Sequence, residues 1–169
     1  CSTFNRAQPG ERSLTKRRVV ITGLGIVSPL GSTVASAWDG VRNGRSGIAT
    51  IRKLDTTAFP VHIGGEVVGF KAEDYMSPKD ARKFDPFVSF GVAAAVQAIR
   101  DSGIEVNEAN TARVGVAMGA GIGGLSTIEE NTARWLEAGT PSKISPFFIP
   151  GSIINAAAGQ VSIMHGLRG

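Results

Sequence analysis

The chain has 169 residues, 42% of them apolar and 19% charged, which is a globular composition and a length sufficient for one core. No run reaches the roughly 18 uninterrupted apolar residues that a membrane-spanning helix needs, so the sequence reads as having no membrane partner. The net charge of +4 sits within residues 1–18, where Arg6, Arg12, Lys16, Arg17 and Arg18 face one acid, Glu11; the remainder is balanced, so nucleic acid finds no fold-wide phosphate-binding surface.

Residues 1–15 mix Ser, Thr, Asn, Gln, Pro and Gly without apolar periodicity, which predicts a disordered tail: a remnant of cloning or of an organelle presequence, or a native extension. Cys1 is the only cysteine, so no intrachain disulfide forms. With His62 and His165 it makes too few ligands for a four-coordinate Cys/His zinc site, and no metal is expected. A thiol in such a tail also lacks the fixed electropositive pocket that a nucleophile requires.

The folded part is expected over residues 16–169. It opens on a β-branched run, Arg18-Val19-Val20-Ile21-Thr22, read as a strand buried on both faces and feeding Gly23-Leu24-Gly25. Ser32 or Thr33 caps the next helix, with Val34, Ala37, Trp38 and Val41 at helical spacing and Gly44 at its exit. Asp55-Thr56-Thr57 predicts a turn, and residues 62–68 one or two short strands.

Ser77-Pro78-Lys79-Asp80 combines a cap, a proline at the first helical position and an acid at the third. The pattern predicts a long helix running from there through Phe84, Val88, Val92, Ala95 and Ile99 to Gly103. A second strand is expected at Val114–Met118. It leads through Gly119-Ala120-Gly121-Ile122-Gly123-Gly124 into a helix from Ser126 to Ala138, with Ser126 and Glu129 as its capping pair. Ser152 is expected to cap a last helix over Ile153–Val161, small and apolar nearly all round.

This order is α/β, with a parallel sheet that needs helices on both faces. Two strong strands are few for such a sheet, and the pattern reads as an incomplete domain. Gly119, Gly121 and Gly124 satisfy G-x-G-x-x-G between strand and helix, but Glu137, the acid at dinucleotide-fold distance, lies inside the helix, and no second strand follows directly. A turn that admits close backbone approach is the better reading.

Four motifs recur in register: Arg17–Gly25 with Ser28-Pro29-Leu30-Gly31, the turn Gly119–Gly124, Lys143–Pro150, and Asn155-Ala156-Ala157-Ala158-Gly159-Gln160. In this order and spacing the sequence resembles the elongating β-ketoacyl-[acyl-carrier-protein] synthases, most of all the type II enzyme, over residues 16–169. The resemblance implies the thiolase fold, a five-layered sandwich of two similar α/β halves, in a homodimer without a cofactor. Its setting is the bacterial cytoplasm, or an organelle stroma or matrix if the tail is a presequence remnant.

The implied reaction is decarboxylative condensation of an acyl thioester with malonyl-acyl carrier protein. The family's cysteine nucleophile and its two histidines fall after Gly169, so the resemblance implies no catalytic residue in this chain and no condensing activity for the chain alone. It assigns Ile122 to the base of the acyl pocket and Phe148 to an aromatic position reaching toward the partner's pocket. Lys79, Arg82 and Lys83 match one carrier-protein patch and Lys143 a second, where Ser142 replaces a basic residue common among relatives. His62 and His165 match no catalytic histidine. A non-catalytic subunit like the chain-length factors of polyketide systems is the alternative, and a dinucleotide module comes third.

Overall fold

The computed structural model describes residues 18–169, so the predicted tail, Cys1, Lys16 and Arg17 lie outside the described residues. Helix α1 (Val34–Arg42) begins where expected. Thr33 is extended, its hydroxyl accepts from the Ser36 N–H at 3.2 Å, and Ser36 Oγ accepts from the Thr33 N–H at 3.2 Å, a reciprocal cap for two otherwise orphaned donors. The chain leaves through Asn43 and Gly44.

Two short strands follow, β1 (Ile48–Thr50) and β2 (Ile63–Gly65), paired antiparallel with Ile48 opposite Gly65 and Thr50 opposite Ile63. The expected turn lies between them, its Thr57 N–H and hydroxyl both donating to Asp55 Oδ1. Glu66 accepts from the N–H groups of Lys53 and Arg52, and these bonds, Lys53's first, hold its carboxyl below the usual range.

The long helix expected from Ser77 is two helices. The short α2 (Pro78–Ala81) is capped by Ser77, and α3 (Pro86–Ser102) starts anew from Asp85. Pro86 enforces the break, since inside a continuous helix it would lack the N–H for its own turn and clash with the carbonyl four residues back; at the first position of α3 it costs nothing. Phe84 therefore precedes α3, and Lys79, Arg82 and Lys83 belong to α2 and its exit.

Helix α4 (Leu125–Ala138) is followed by a single 3₁₀ turn at Pro141–Lys143. The last helix, expected over Ile153–Val161, forms as α6 (Ala156–His165), three residues later, and a short helix that was not expected, α5 (Phe148–Ser152), precedes it. Ser152 ends α5 and does not cap α6: its hydroxyl donates back to the Phe148 carbonyl at 2.7 Å. The core is the seam where α3 meets α6. Val88, Val92 and Val96 pack with Ala157, Val161, Met76 and Leu167, and Val114, Val116 and Met118 flank them.

Neither segment expected to be a strand, Arg18–Thr22 or Val114–Met118, joins a ladder; among the described residues the only sheet is β1–β2. The expectation of two-sided burial fails for the first, since Val19 is 90% and Ile21 83% exposed. Its continuation nevertheless lies hard against α3. A Cβ at Gly25 would collide with the Ala94 carbonyl, and one at Gly23 would come within 2.6 Å of Ser102 N, so only glycine admits this approach. Asp101 Oδ2 accepts from the Leu24 N–H at 2.8 Å, and the Gln97 amide donates to the carbonyls of Ile26 and Ser32. Partner strands for these two segments are not among the described residues. No helix described is long and apolar enough to cross a membrane.

Candidate functional site

The glycine turn, the start of α3 and the end of α5 meet at one point. Gly123 has φ +94°, and the Gly124 N–H donates to the Ser152 carbonyl at 2.8 Å. Helix α4 starts at Leu125 with Gly124 in the cap position and no cap from its own segment, so the expected Ser126–Glu129 capping pair is not formed. Asp85 does that work from 42 residues away, its Oδ2 accepting from the Thr127 N–H at 2.9 Å. Asp85-Pro86 is itself a cap signature, and it escaped the sequence reading because the Ser77-Pro78 start upstream seemed to own the whole helix.

Ile122 stands in this turn 68% exposed, and Phe148 is the half-buried first residue of α5. The structure joins turn and α5 through Ser152, the last residue of that helix, and α4 packs against α5. The first helical turn of α4 is where a pyrophosphate would bind in a dinucleotide fold. Its Thr127 N–H is already taken by a carboxylate, which weighs against that use of Gly119, Gly121 and Gly124.

The basic side chains assemble on an adjoining surface. Lys79 is exposed on α2, and Lys83 pairs with Asp80 at 2.8 Å while standing 5.6 Å from the centroid of the Phe147 ring. The Lys83 ammonium, followed by the Ser77 hydroxyl, holds the Asp80 carboxyl below the usual aspartate range. Arg82 and Lys83 line a cleft of about 440 Å³ with Ser126, Thr127, Ser145 and Arg134. Lys143, in the Pro141–Lys143 turn, shares a shallower recess with Glu137 and, again, Arg134.

Arg134 thus stands between the two predicted patches, held only loosely by Glu130 at 3.4 Å, with both side chains more than half exposed. Sequence reasoning did not single it out. No local pattern marked it: the buried Asn131 side chain, three residues earlier on α4, accepts from the Ser145 N–H at 2.8 Å and turns that face toward residues 141–147, a contact that the sequence does not show. No cluster of three or more His, Cys, Asp or Glu side chains that could hold a metal occurs among the described residues. His62 lies on the β2 side of the hairpin loop, its Nδ1 3.1 Å from the Thr56 hydroxyl, and His165 ends α6.

Comparison with known proteins gives a consistent result. The family model described as "Beta-ketoacyl synthase, N-terminal domain" matches residues 16–169. Over 156 residues, 92% of this chain, the sequence is 54% identical to the 3-oxoacyl-[acyl-carrier-protein] synthase 2 of Vibrio cholerae and 51% identical to that of Coxiella burnetii. The chain spans about 37% of the length of these curated relatives. Among solved structures, one described as "The ishigamide ketosynthase/chain length factor" superposes with a TM-score of 0.72 at 28% identity, over 90% of this chain and 37% of that one.

Proposed function

Because the chain belongs to the beta-ketoacyl synthase family, matching its N-terminal domain, we propose that it supplies the acyl pocket floor and the carrier-protein surface of a fatty-acid-elongating 3-oxoacyl-[acyl-carrier-protein] synthase. The observation that carries this reading is the 54% identity to such an enzyme across 156 residues.

In the proposed reaction an acyl group leaves its carrier-protein thioester for a cysteine thiolate, freeing the carrier thiol. Malonyl-carrier protein loses CO₂, and the carbanion left behind attacks the acyl carbonyl, giving 3-oxoacyl-carrier protein and restoring the thiolate. The single thiol among the 169 residues is Cys1. We assign the nucleophile and the two histidines to positions outside this sequence and expect no turnover by residues 1–169 alone.

Ile122 limits the acyl chain by volume, since each methylene displaced is worth about 0.8 kcal/mol. Lys79, Arg82, Lys83 and Lys143 attract an acidic carrier protein by complementary charge, which acts mainly on encounter. The reading includes a homodimer in a bacterial cytoplasm. Support for pairing is the exposure of Ile149, Ile153 and Ile154 close in sequence to Phe148, apolar side chains that a partner surface would cover.

The test is condensation by a chimaera in which residues 16–169 replace the matching segment of the Vibrio cholerae relative. We expect 3-oxoacyl-carrier protein from acyl- and malonyl-carrier protein; a folded chimaera that loads neither substrate would overturn the reading. A second reading, a non-catalytic chain-length-factor-like subunit, is favoured by the structural neighbour described as a ketosynthase/chain length factor. Reading the gene past the codon for Gly169 separates the two, since only a synthase encodes the nucleophilic cysteine there.

A further inference from the structure

We infer that Asp85 is a positioning residue for the acyl pocket: its carboxylate ties α3 to α4 just beyond the turn that carries Ile122, its backbone N–H meets α5, which begins with Phe148, and this junction sets chain-length selectivity without touching the acyl chain. The inference rests on the pocket reading proposed above and adds a residue to it.

Asp85 is 5% exposed, and among the described residues no cation pairs with it. Its charge is met by the N–H groups of two helices instead. Oδ1 accepts from Phe87 N at 3.4 Å, closing the start of α3, and Oδ2 accepts from Thr127 N at 2.9 Å, closing the start of α4. Its own N–H donates to the Gly151 carbonyl in α5 at 3.3 Å. Three elements far apart in sequence therefore converge on one residue.

Capping α3 alone does not call for aspartate, because serine or asparagine serves as well. Two acceptor oxygens without a donor are supplied only by a carboxylate, so the second oxygen answers to the link with α4. The space around it is also closed: a Cβ on Gly124 would lie 3.0 Å from Asp85 Cβ and 2.8 Å from Ser152 Cα. The turn is gripped between α3 and α5 two residues beyond Ile122, and a shift of that grip moves the pocket floor.

The test uses Asp85→Ser and Asp85→Asn, both of which keep a good cap on α3. Serine has no second oxygen to reach α4, and asparagine turns an amide N–H toward the Thr127 N–H. In the chain itself, hydrogen exchange at Thr127 should accelerate about tenfold in both variants while Val92 in α3 stays protected; unchanged exchange at Thr127 would overturn the link. In the chimaera, the ratio of kcat/KM for long against short acyl chains should move by about threefold or more. A uniform loss at every length would reduce Asp85 to a structural cap and overturn the inference. Failure of the pocket reading is seen separately, as an Ile122→Phe variant whose length profile does not move.

Discussion

Ile122 is 68% exposed in this structure, so a larger side chain there has room to point away from the chain. Ile122→Phe should therefore leave stability unchanged and act only through the acyl chain, lowering kcat/KM for the longest acyl substrates of the chimaera about tenfold and sparing short ones. An unchanged length profile would count against the assignment. Gly25 is the opposite case, because its missing Cβ would overlap the Ala94 carbonyl. Gly25→Ala should cost about 1–3 kcal/mol in denaturant unfolding, the range for overpacking against something that cannot yield. Gly119→Ala, with nothing within 4 Å of the added carbon, should stay within about 0.5 kcal/mol of the parent. Glycines at 23 and 25 were legible in the sequence as a turn after a strand, but their function as a flat backbone face against α3 depends on a contact with residues 94–102, which no local pattern encodes.

At the scale of elements, the caps read best. Thr33, Gly103 and Gly139 close their helices where local chemistry predicts, since each interaction spans only a few residues. What failed was non-local: α4 is capped by Asp85 and not by Ser126, and apolar spacing across Phe84 and Val88 concealed the break at Pro86. The basic surface shows the same division. Lys79, Arg82, Lys83 and Lys143 were named from sequence, while Arg134 became visible only when α4 was set against residues 141–147. If this surface receives the carrier protein, Arg134→Glu in the chimaera should raise KM for acyl-carrier protein about threefold or more and flatten its salt dependence. Turnover of the corresponding acyl-coenzyme A should not change. An equal effect on both substrates would show that Arg134 acts on the fold and not on docking.

For the molecule as a whole, the α/β fold of the ketosynthases was legible from motif order, whereas the expected parallel sheet is not formed among the described residues. Val19, Val20 and Ile21 are largely exposed, and the Gly169 N–H reaches the carbonyl of Val114, the first residue of the second segment, at 3.1 Å. Strand propensity is a local property, but a ladder needs a neighbour, and among the described residues no strand lies beside either segment. The same separation governs the proposed function: the carrier-protein surface and the pocket residues are proposed within this chain, and the reacting groups outside it. The direct measurement is CO₂ release from malonyl-carrier protein coupled to 3-oxoacyl product, run in parallel on residues 1–169 and on the chimaera with the Vibrio cholerae relative. The account predicts no product from the chain and sustained product from the chimaera; product from the chain alone, or none from a folded chimaera, would contradict it.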